Sequence, residues 1–253
     1  MSAEIHPAAS IGFERAADAY ERGRPEFPLE AVRALVEMLG LRPGRTLLEL
    51  GAGTGKLTRQ LAGSGATIVA VEPVAAMRGV LSSLVSDAVV VESTAERLPL
   101  GPGDADAAVA AQAFHWFDGD RALAELTRVL PAGAPLALVW NVRDESVPWV
   151  RALTDLIEPY RGDTPSHRSM RWLDAFARSF TWPLPARTSY PFHHVTTREA
   201  VVDRVVSVSF IAALDDGERS VVTDAVRSLI PPGDGYDEVV FPYRTDVWFT
   251  RRA

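Results

Sequence analysis

The sequence predicts a doubly wound, mostly parallel α/β sheet, and three observations predict it. Buried apolar strands and amphipathic helices alternate through five strands as far as Val142. The first strand, Thr46-Leu47-Leu48-Glu49-Leu50, runs straight into glycines at alternate positions, Gly51, Gly53 and Gly55. The second, Ile68-Val69-Ala70-Val71, ends in Glu72-Pro73, about twenty residues past that turn.

In chain order, Phe13 to Tyr20 reads as a short helix and Arg24-Pro25-Glu26-Phe27-Pro28 as a proline-broken loop. Pro28 then opens a helix with Val32, Leu35, Val36 and Leu39 on one face, and Gly40 to Gly44 ends it. After the glycine turn, Leu57, Leu61 and Ala62 return at helical spacing. Glycine is required in the turn because a side chain would keep the backbone from a ligand and because positive φ is open to it without strain. Met77, Val80, Leu81 and Leu84 mark the next helix, and Ala88 to Val91 the third strand. The fourth strand runs from Asp106 through small residues and is expected to carry Gln112, Phe114, His115 and Trp116 at its carboxyl end. Asp118 caps the following helix, with Ala122, Leu126, Val129 and Leu130 on one face before Pro131 stops it. Pro135 to Val142 is the fifth strand, with Trp140 and Asn141 expected on the same rim. Open parallel sheets bind ligands at that carboxyl edge.

Beyond Arg143 the rhythm changes. Pro148 opens a stripe of Val150, Leu153, Ile157 and Tyr160, and Trp172, Phe176 and Phe180 form another. Such aromatic stripes are expected to be core packing. Arg187 to Val195 reads as a strand that Pro191 marks as an edge or bulge. Its adjacent His193 and His194 point to opposite faces, which makes them poor partners for one metal ion, and no metal site is expected. Thr196-Thr197-Arg198-Glu199 reads as a capping box before a helix with Val201, Val202 and Val205; Asp215 opens another with Val221, Val222, Ala225 and Leu229. Alternation from Glu238 to Arg251 predicts one or two final strands.

The 253 residues are 47% hydrophobic and 23% charged, enough to bury a full core. A formal charge of −7 argues against nucleic acid or an anionic membrane as a partner. With no cysteine there is no disulfide, thiolate metal site or cysteine nucleophile. No run is apolar and long enough for a signal peptide or membrane span, so a cytoplasmic monomer or homodimer is expected. Lys56 is the only lysine, a usage attributable to a GC-rich genome.

Three ligands compete for the glycine turn. In a dinucleotide fingerprint counted from Gly51 the third glycine falls on Lys56, which argues against a nucleotide-linked oxidoreductase. A P-loop would need glycine where Leu50 stands and a hydroxyl where Leu57 stands. What remains is acidic-x-Gly-x-Gly-x-Gly with Glu49 in the acidic place, which resembles the first motif of class I S-adenosylmethionine-dependent methyltransferases of the type 11 domain. Glu72 then fits the carboxylate that accepts from two ribose hydroxyls. Two further stretches, Phe13-x-x-x-Ala17-x-x-Tyr20 with Arg24-Pro25-x-Phe27-Pro28, and Ala111-Gln112-Ala113-Phe114-His115-Trp116-Phe117, resemble the small-molecule branch similar to trans-aconitate methyltransferase. Leu130-Pro131-Ala132-Gly133 departs from the family's Pro-Gly-Gly turn.

The resemblance implies a Rossmann-like, seven-stranded sheet whose last strand is antiparallel. It also implies a single domain: a lid over residues 1–39, a core of about 40–145 with 187–195 and 236–253, and a helical cap of about 146–186 and 196–235. S-adenosylmethionine would be held by Glu49, Gly51, Ala52, Gly53, Gly55, Glu72, Pro73 and Gln112, with Ala95 and Glu96 bordering the adenine. The acceptor, a small molecule offering a carboxylate or hydroxyl oxygen, would meet Tyr20, Arg24, His115, Trp116, Trp140 and Arg143. His115 would be a general base or an orienting donor. A non-catalytic protein that binds the cofactor as a regulator or scaffold is the alternative.

Overall fold

The computed structural model of the chain describes residues 21–232 and 237–253; the expected helix from Phe13 to Tyr20 lies outside them. Seven strands make one sheet: β1 (Thr46–Leu50), β2 (Thr67–Val71), β3 (Val89–Val91), β4 (Ala107–Ala111), β5 (Pro135–Arg143), β6 (Ala186–Thr197) and β7 (Glu238–Arg251). Their order is β3-β2-β1-β4-β5-β7-β6. The first five are parallel, and β7 runs antiparallel to both its neighbours. From β1 the chain winds outward to β2 and β3, then returns to the other side for β4 and β5. The loops after β1 and β4 therefore part, opening a crevice at the carboxyl edge of the sheet.

Period-two alternation sorts the strand residues between two layers. Leu47, Ile68, Val109 and Val139 pack with helices α1 (Leu29–Leu39) and α2 (Lys56–Ala62). Leu48, Val69, Ala108 and Leu138 face the other way. They meet α4 (Gly119–Val129), which follows α3 (Ala75–Leu84), and α6 (Leu173–Arg178), which follows α5 (Pro148–Ile157). A third cluster joins α5 to α7 (Arg198–Val206), α8 (Ser209–Ala212) and α9 (Asp216–Leu229). It is floored by Val239 and Phe241, where β7 runs past the end of β5 and pairs with β6, and by Tyr243, opposite Arg143 at that end. These helices overhang the carboxyl edge of β5.

Several local expectations are corrected. β4 stops at Ala111; Gln112 takes φ +58°, and Phe114 to Trp116 form a 3-10 turn that carries Phe114 into the core. Phe114 is therefore packed edge-on against Phe117 and Trp172 instead of facing the rim. The cap of α7 is Thr197, which accepts from Ala200 N, one residue later than the capping box implies. Glu199 pairs with Arg227. The stripe of Trp172 and Phe176 does not continue to Phe180, because α6 ends at Arg178 and Phe180 stands wholly in solvent. Trp182 takes its place, fully buried, with Nε1 donating to Leu123 O and Thr127 Oγ1.

Replacing Trp182 by alanine should therefore destabilise the fold by about 3–5 kcal/mol, whereas Phe180→Ala should change stability by no more than about 0.5 kcal/mol. Urea denaturation of the two variants checks the pair; equal losses would place both rings in the core.

Candidate active site

The glycine turn is built by backbone geometry. Gly51, Gly53 and Gly55 have φ of +64°, +59° and +84°. Gly51 N and Ala52 N both donate to Val71 O, at 2.8 and 3.1 Å, which fastens the turn to β2. A Cβ on Gly51 would stand 2.6 Å from Ala113 Cβ, so two loops meet there and only glycine fits. Gly53 has open space at its own Cβ position.

Two carboxylates flank the turn. Glu72 closes β2, accepting from Gly53 N through Oε2 and from Val74 N through Oε1, both at 2.9 Å. Burial raises its pKa, against the pull of those two amides and Arg78. Each oxygen keeps a second lone pair for a hydroxyl donor. Glu49 is fully buried on β1. Thr58 donates to its Oε2 at 2.7 Å, while Oε1 is buried with no hydrogen-bond partner. Burial pushes the pKa of this carboxyl up to about 7, the Thr58 hydrogen bond working against it and the Glu72 charge adding to it.

The N-terminal segment lies across the turn. Thr54 Oγ1 donates to Glu21 at 2.6 Å, Arg59 Nη2 donates to it at 2.7 Å, and Lys56 Nζ stands 3.5 Å away. Lys56 is thus an ion-pair partner of this segment. Asn141 fixes the segment from the other side: its Nδ2 donates to Pro25 O and Glu26 O, both at 3.3 Å, and its Oδ1 accepts from Thr245 at 2.6 Å.

Beneath this segment a cavity is lined by Glu49, Gly51, Ala52 and Gln112. It adjoins a second, lined by His115, Trp116, Arg143 and His167. The two share Arg24, Gln112, Asn141 and Arg204. Gln112 sits between them in a conformation unusual for a residue with a side chain, held by Gln112 N to Val139 O at 2.7 Å and Nε2 to Asn141 O at 3.3 Å. Arg24 reaches Ser207 O with Nη2.

In the second cavity, His115 Nδ1 accepts from Trp140 Nε1 at 3.2 Å. That bond requires an unprotonated Nδ1 and leaves the proton on Nε2. Burial, then the charges of His167, Arg24 and Arg161, hold the His115 pKa well below its ordinary 6.5. His167 is lowered to about 4, chiefly by burial. Both imidazoles are neutral at physiological pH. Trp140 is buried on the opposite face of β5, stacked on His167 at 6.0 Å, and does not line this cavity; it reaches the site through His115.

Of the remaining candidates, Glu72, Pro73, Ala95 and Glu96 follow β2 and β3 at the same carboxyl edge, outside the two cavities. Glu96 accepts from Asp118 N at 2.9 Å and Ala95 is buried. Tyr20 lies outside the described residues. Sequence reasoning missed Glu21, Arg59, His167 and Arg204. For Arg204 there was a signal, an arginine inside Val201-Val202-Asp203-Arg204-Val205-Val206 at a place that helical spacing assigns to the buried face.

Sheet order, glycine turn and strand-end carboxylate together define a class I methyltransferase. Residues 48–138 match the methyltransferase domain family. An uncharacterised methyltransferase of Mycobacterium tuberculosis (strain H37Rv) is 38% identical over 221 residues, 87% of this chain and 86% of that protein. A methyltransferase-like protein of Schizosaccharomyces pombe is 33% identical over 230 residues, 89% and 90% of the two chains. Among solved structures, one from Anaeromyxobacter dehalogenans, proposed to be a type II methyltransferase, superposes with a TM-score of 0.65 at 25% identity, covering 90% of this chain and 97% of that one. The chain belongs to this family of S-adenosylmethionine-dependent methyltransferases.

The raised pKa of Glu49 gives a signed expectation. Below about pH 4.5 the carboxyl is protonated in folded and unfolded chains alike and its stabilising share is complete; that share is lost as pH rises to about 7. Glu49→Gln does not titrate, so without ligand it should gain about 3 kcal/mol on the wild type between these limits and nothing above them. Paired urea denaturation across pH 4.5 to 8 measures this; a constant difference would mean a carboxylate ionised throughout.

Proposed function

We propose that this methyltransferase transfers its methyl group to a carboxylate or hydroxyl oxygen of a small acceptor held in the cavity between β5 and the α7–α8 helices. The observation that carries the reading is the charge of that cavity. Its lining includes Arg24, Arg143, Arg161, Arg168 and Arg204, against the single carboxylate of Glu145.

The residues present fit S-adenosylmethionine. Glu72 keeps free lone pairs for two hydroxyls, Glu49 Oε1 lacks a donor, and Gly53 leaves its side-chain place open. Glu49, Gly51, Ala52, Gly53, Gly55, Glu72, Pro73 and Gln112 would hold it, with Ala95 and Glu96 beside the adenine. Bound there, the cofactor supplies a methyl group already activated on a cationic sulfur. The chain's task is then to place the acceptor oxygen in line, the contribution that positioning makes to any bimolecular step.

His115 fits an orienting donor better than a general base. Its only lone pair, on Nδ1, is engaged by Trp140, its Nε2 already carries the proton and can donate it, and a second proton would create an imidazolium among arginines. A carboxylate acceptor needs no base, because forming the O–C bond while the C–S pair stays on sulfur cancels both charges. Trp116 serves as a wall of the cavity, and an aromatic face beside a sulfonium is favourable.

Thermal unfolding with S-adenosylhomocysteine at a hundredfold excess over its dissociation constant should add about 2.7 kcal/mol, raising the midpoint by about 5–10 °C. NAD should leave the midpoint unmoved, and Glu72→Ala should lose most of the shift. With labelled S-adenosylmethionine and a panel of small acids and alcohols, the label should enter an ester, released by base, or an ether that base leaves intact. Turnover confined to nitrogen or carbon acceptors would overturn the oxygen assignment.

A further inference from the structure

Among the described residues, two guanidinium groups lining this cavity form no ion pair with a carboxylate. Arg204 occupies the buried face of α7 beside Val201 and Val205 and is 8% exposed. Its Nε and Nη1 are buried without a hydrogen-bond partner, and so is Arg143 Nη1. Among the described residues no carboxylate forms an ion pair with either arginine. Their neighbours differ: Glu158 engages Arg161 at 2.7 and 2.9 Å, and Glu145 engages Arg168 with both oxygens. Burial and then the Arg204 charge bring Arg143 down to about 10, against the opposing pull of Tyr243 and Glu145.

The same helix shows what a structural arginine looks like. Arg198 donates to the carbonyls of Arg227, Ile230 and Pro231 and ties α7 to the end of α9. Among the described residues Arg204 ties nothing through Nε or Nη1, and an unpaired buried charge destabilises a fold. Yet its position is fixed firmly. Gly23 packs on its backbone so closely that a Cβ would stand 2.3 Å from Arg204 N, and Arg22 pairs with Asp203 at 2.8 Å. The arrangement holds an uncompensated cation at the junction of the two cavities.

We infer that Arg204, acting with Arg143, selects the acceptor by charge, taking a small molecule that carries two negative charges, as two carboxylates or as one phosphate. The inference rests on the acceptor cavity proposed above. It makes α7 the element that sets acceptor specificity: neutral molecules of the same shape would leave both guanidiniums buried and unpaired, and so are excluded.

The test combines calorimetry and thermal unfolding on the wild type and the Arg204→Met, Arg204→Lys and Arg143→Met variants. The probes are succinate, inorganic phosphate, propionate and succinamide, each added with S-adenosylhomocysteine present. Wild type should bind succinate or phosphate at least about tenfold more tightly than propionate, and succinamide undetectably. The tighter of the first two identifies the anionic group. Each methionine variant should lose about tenfold or more for the dianion. Arg204→Met should keep S-adenosylhomocysteine affinity within about twofold, and Arg204→Lys should fall between it and wild type. Without any anion Arg204→Met should melt no lower than wild type, since it removes an uncompensated charge. A melting point several degrees lower would make Arg204 structural. Equal anion binding by wild type and variant, or by none, would overturn the inference, as would a parallel loss of S-adenosylhomocysteine, which would point the charge at the cofactor. Failure of wild type to bind S-adenosylhomocysteine would instead overturn the cofactor assignments.

Discussion

One buried carboxamide holds the two halves of the site in register. Asn141 is the last residue but two of β5, and every polar group it owns is committed: Nδ2 to the carbonyls of Pro25 and Glu26, Oδ1 to the Thr245 hydroxyl, and its own carbonyl to Gln112 Nε2. Through these bonds the N-terminal segment, the antiparallel strand and the loop after β4 are placed relative to a single backbone position. No apolar side chain could replace it, because the two carbonyls of the segment would be left buried without donors. The two cavities share a wall because this residue stands in it.

Around that point the site collects groups that a fold built only for stability would avoid. Glu49 keeps a buried oxygen with no donor, Gln112 adopts a backbone conformation that favours glycine, and Arg143 and Arg204 keep buried nitrogens with no acceptor. Each is destabilising by itself. They are tolerated because they are mounted on β1, β4, β5 and α7, elements whose apolar faces are fully buried in the three cores. Rigid supports under unfavourable polar groups are what preorganisation requires, since those groups cannot relax toward one another before a ligand arrives.

The half of the molecule legible in the sequence is the half made by neighbours in the chain. Strand, glycine turn, helix and strand lie between Thr46 and Glu72, so hydrophobic period and turn chemistry were sufficient to read the parallel sheet and to nominate Glu49 and Glu72. The cavity beside His115 draws on residues far apart, from Arg24 to Phe210, and no local pattern links them. Periodicity also misled where an element ended early. Trp172, Phe176 and Phe180 keep step, but α6 stops at Arg178, and the ring that reaches the core is Trp182, which is out of step. Likewise β4 is shorter than its run of small residues, and the conformation of Gln112 depends on a bond to Val139 that only the assembled sheet supplies.

The contact between Gly23 and the backbone of Arg204 joins positions separated by most of the chain, as does the Arg22–Asp203 pair, 181 residues apart. A ribosome delivers the glycine turn and its two carboxylates long before it delivers α7. The segment that will lie over the turn can meet Thr54, Arg59 and Asn141 during that interval, but not Asp203 or Arg204. The cover is therefore complete only once α7 has been made and has packed on Arg22 and Gly23. Contacts of such high sequence separation form slowly, and this side of the cover waits on α7.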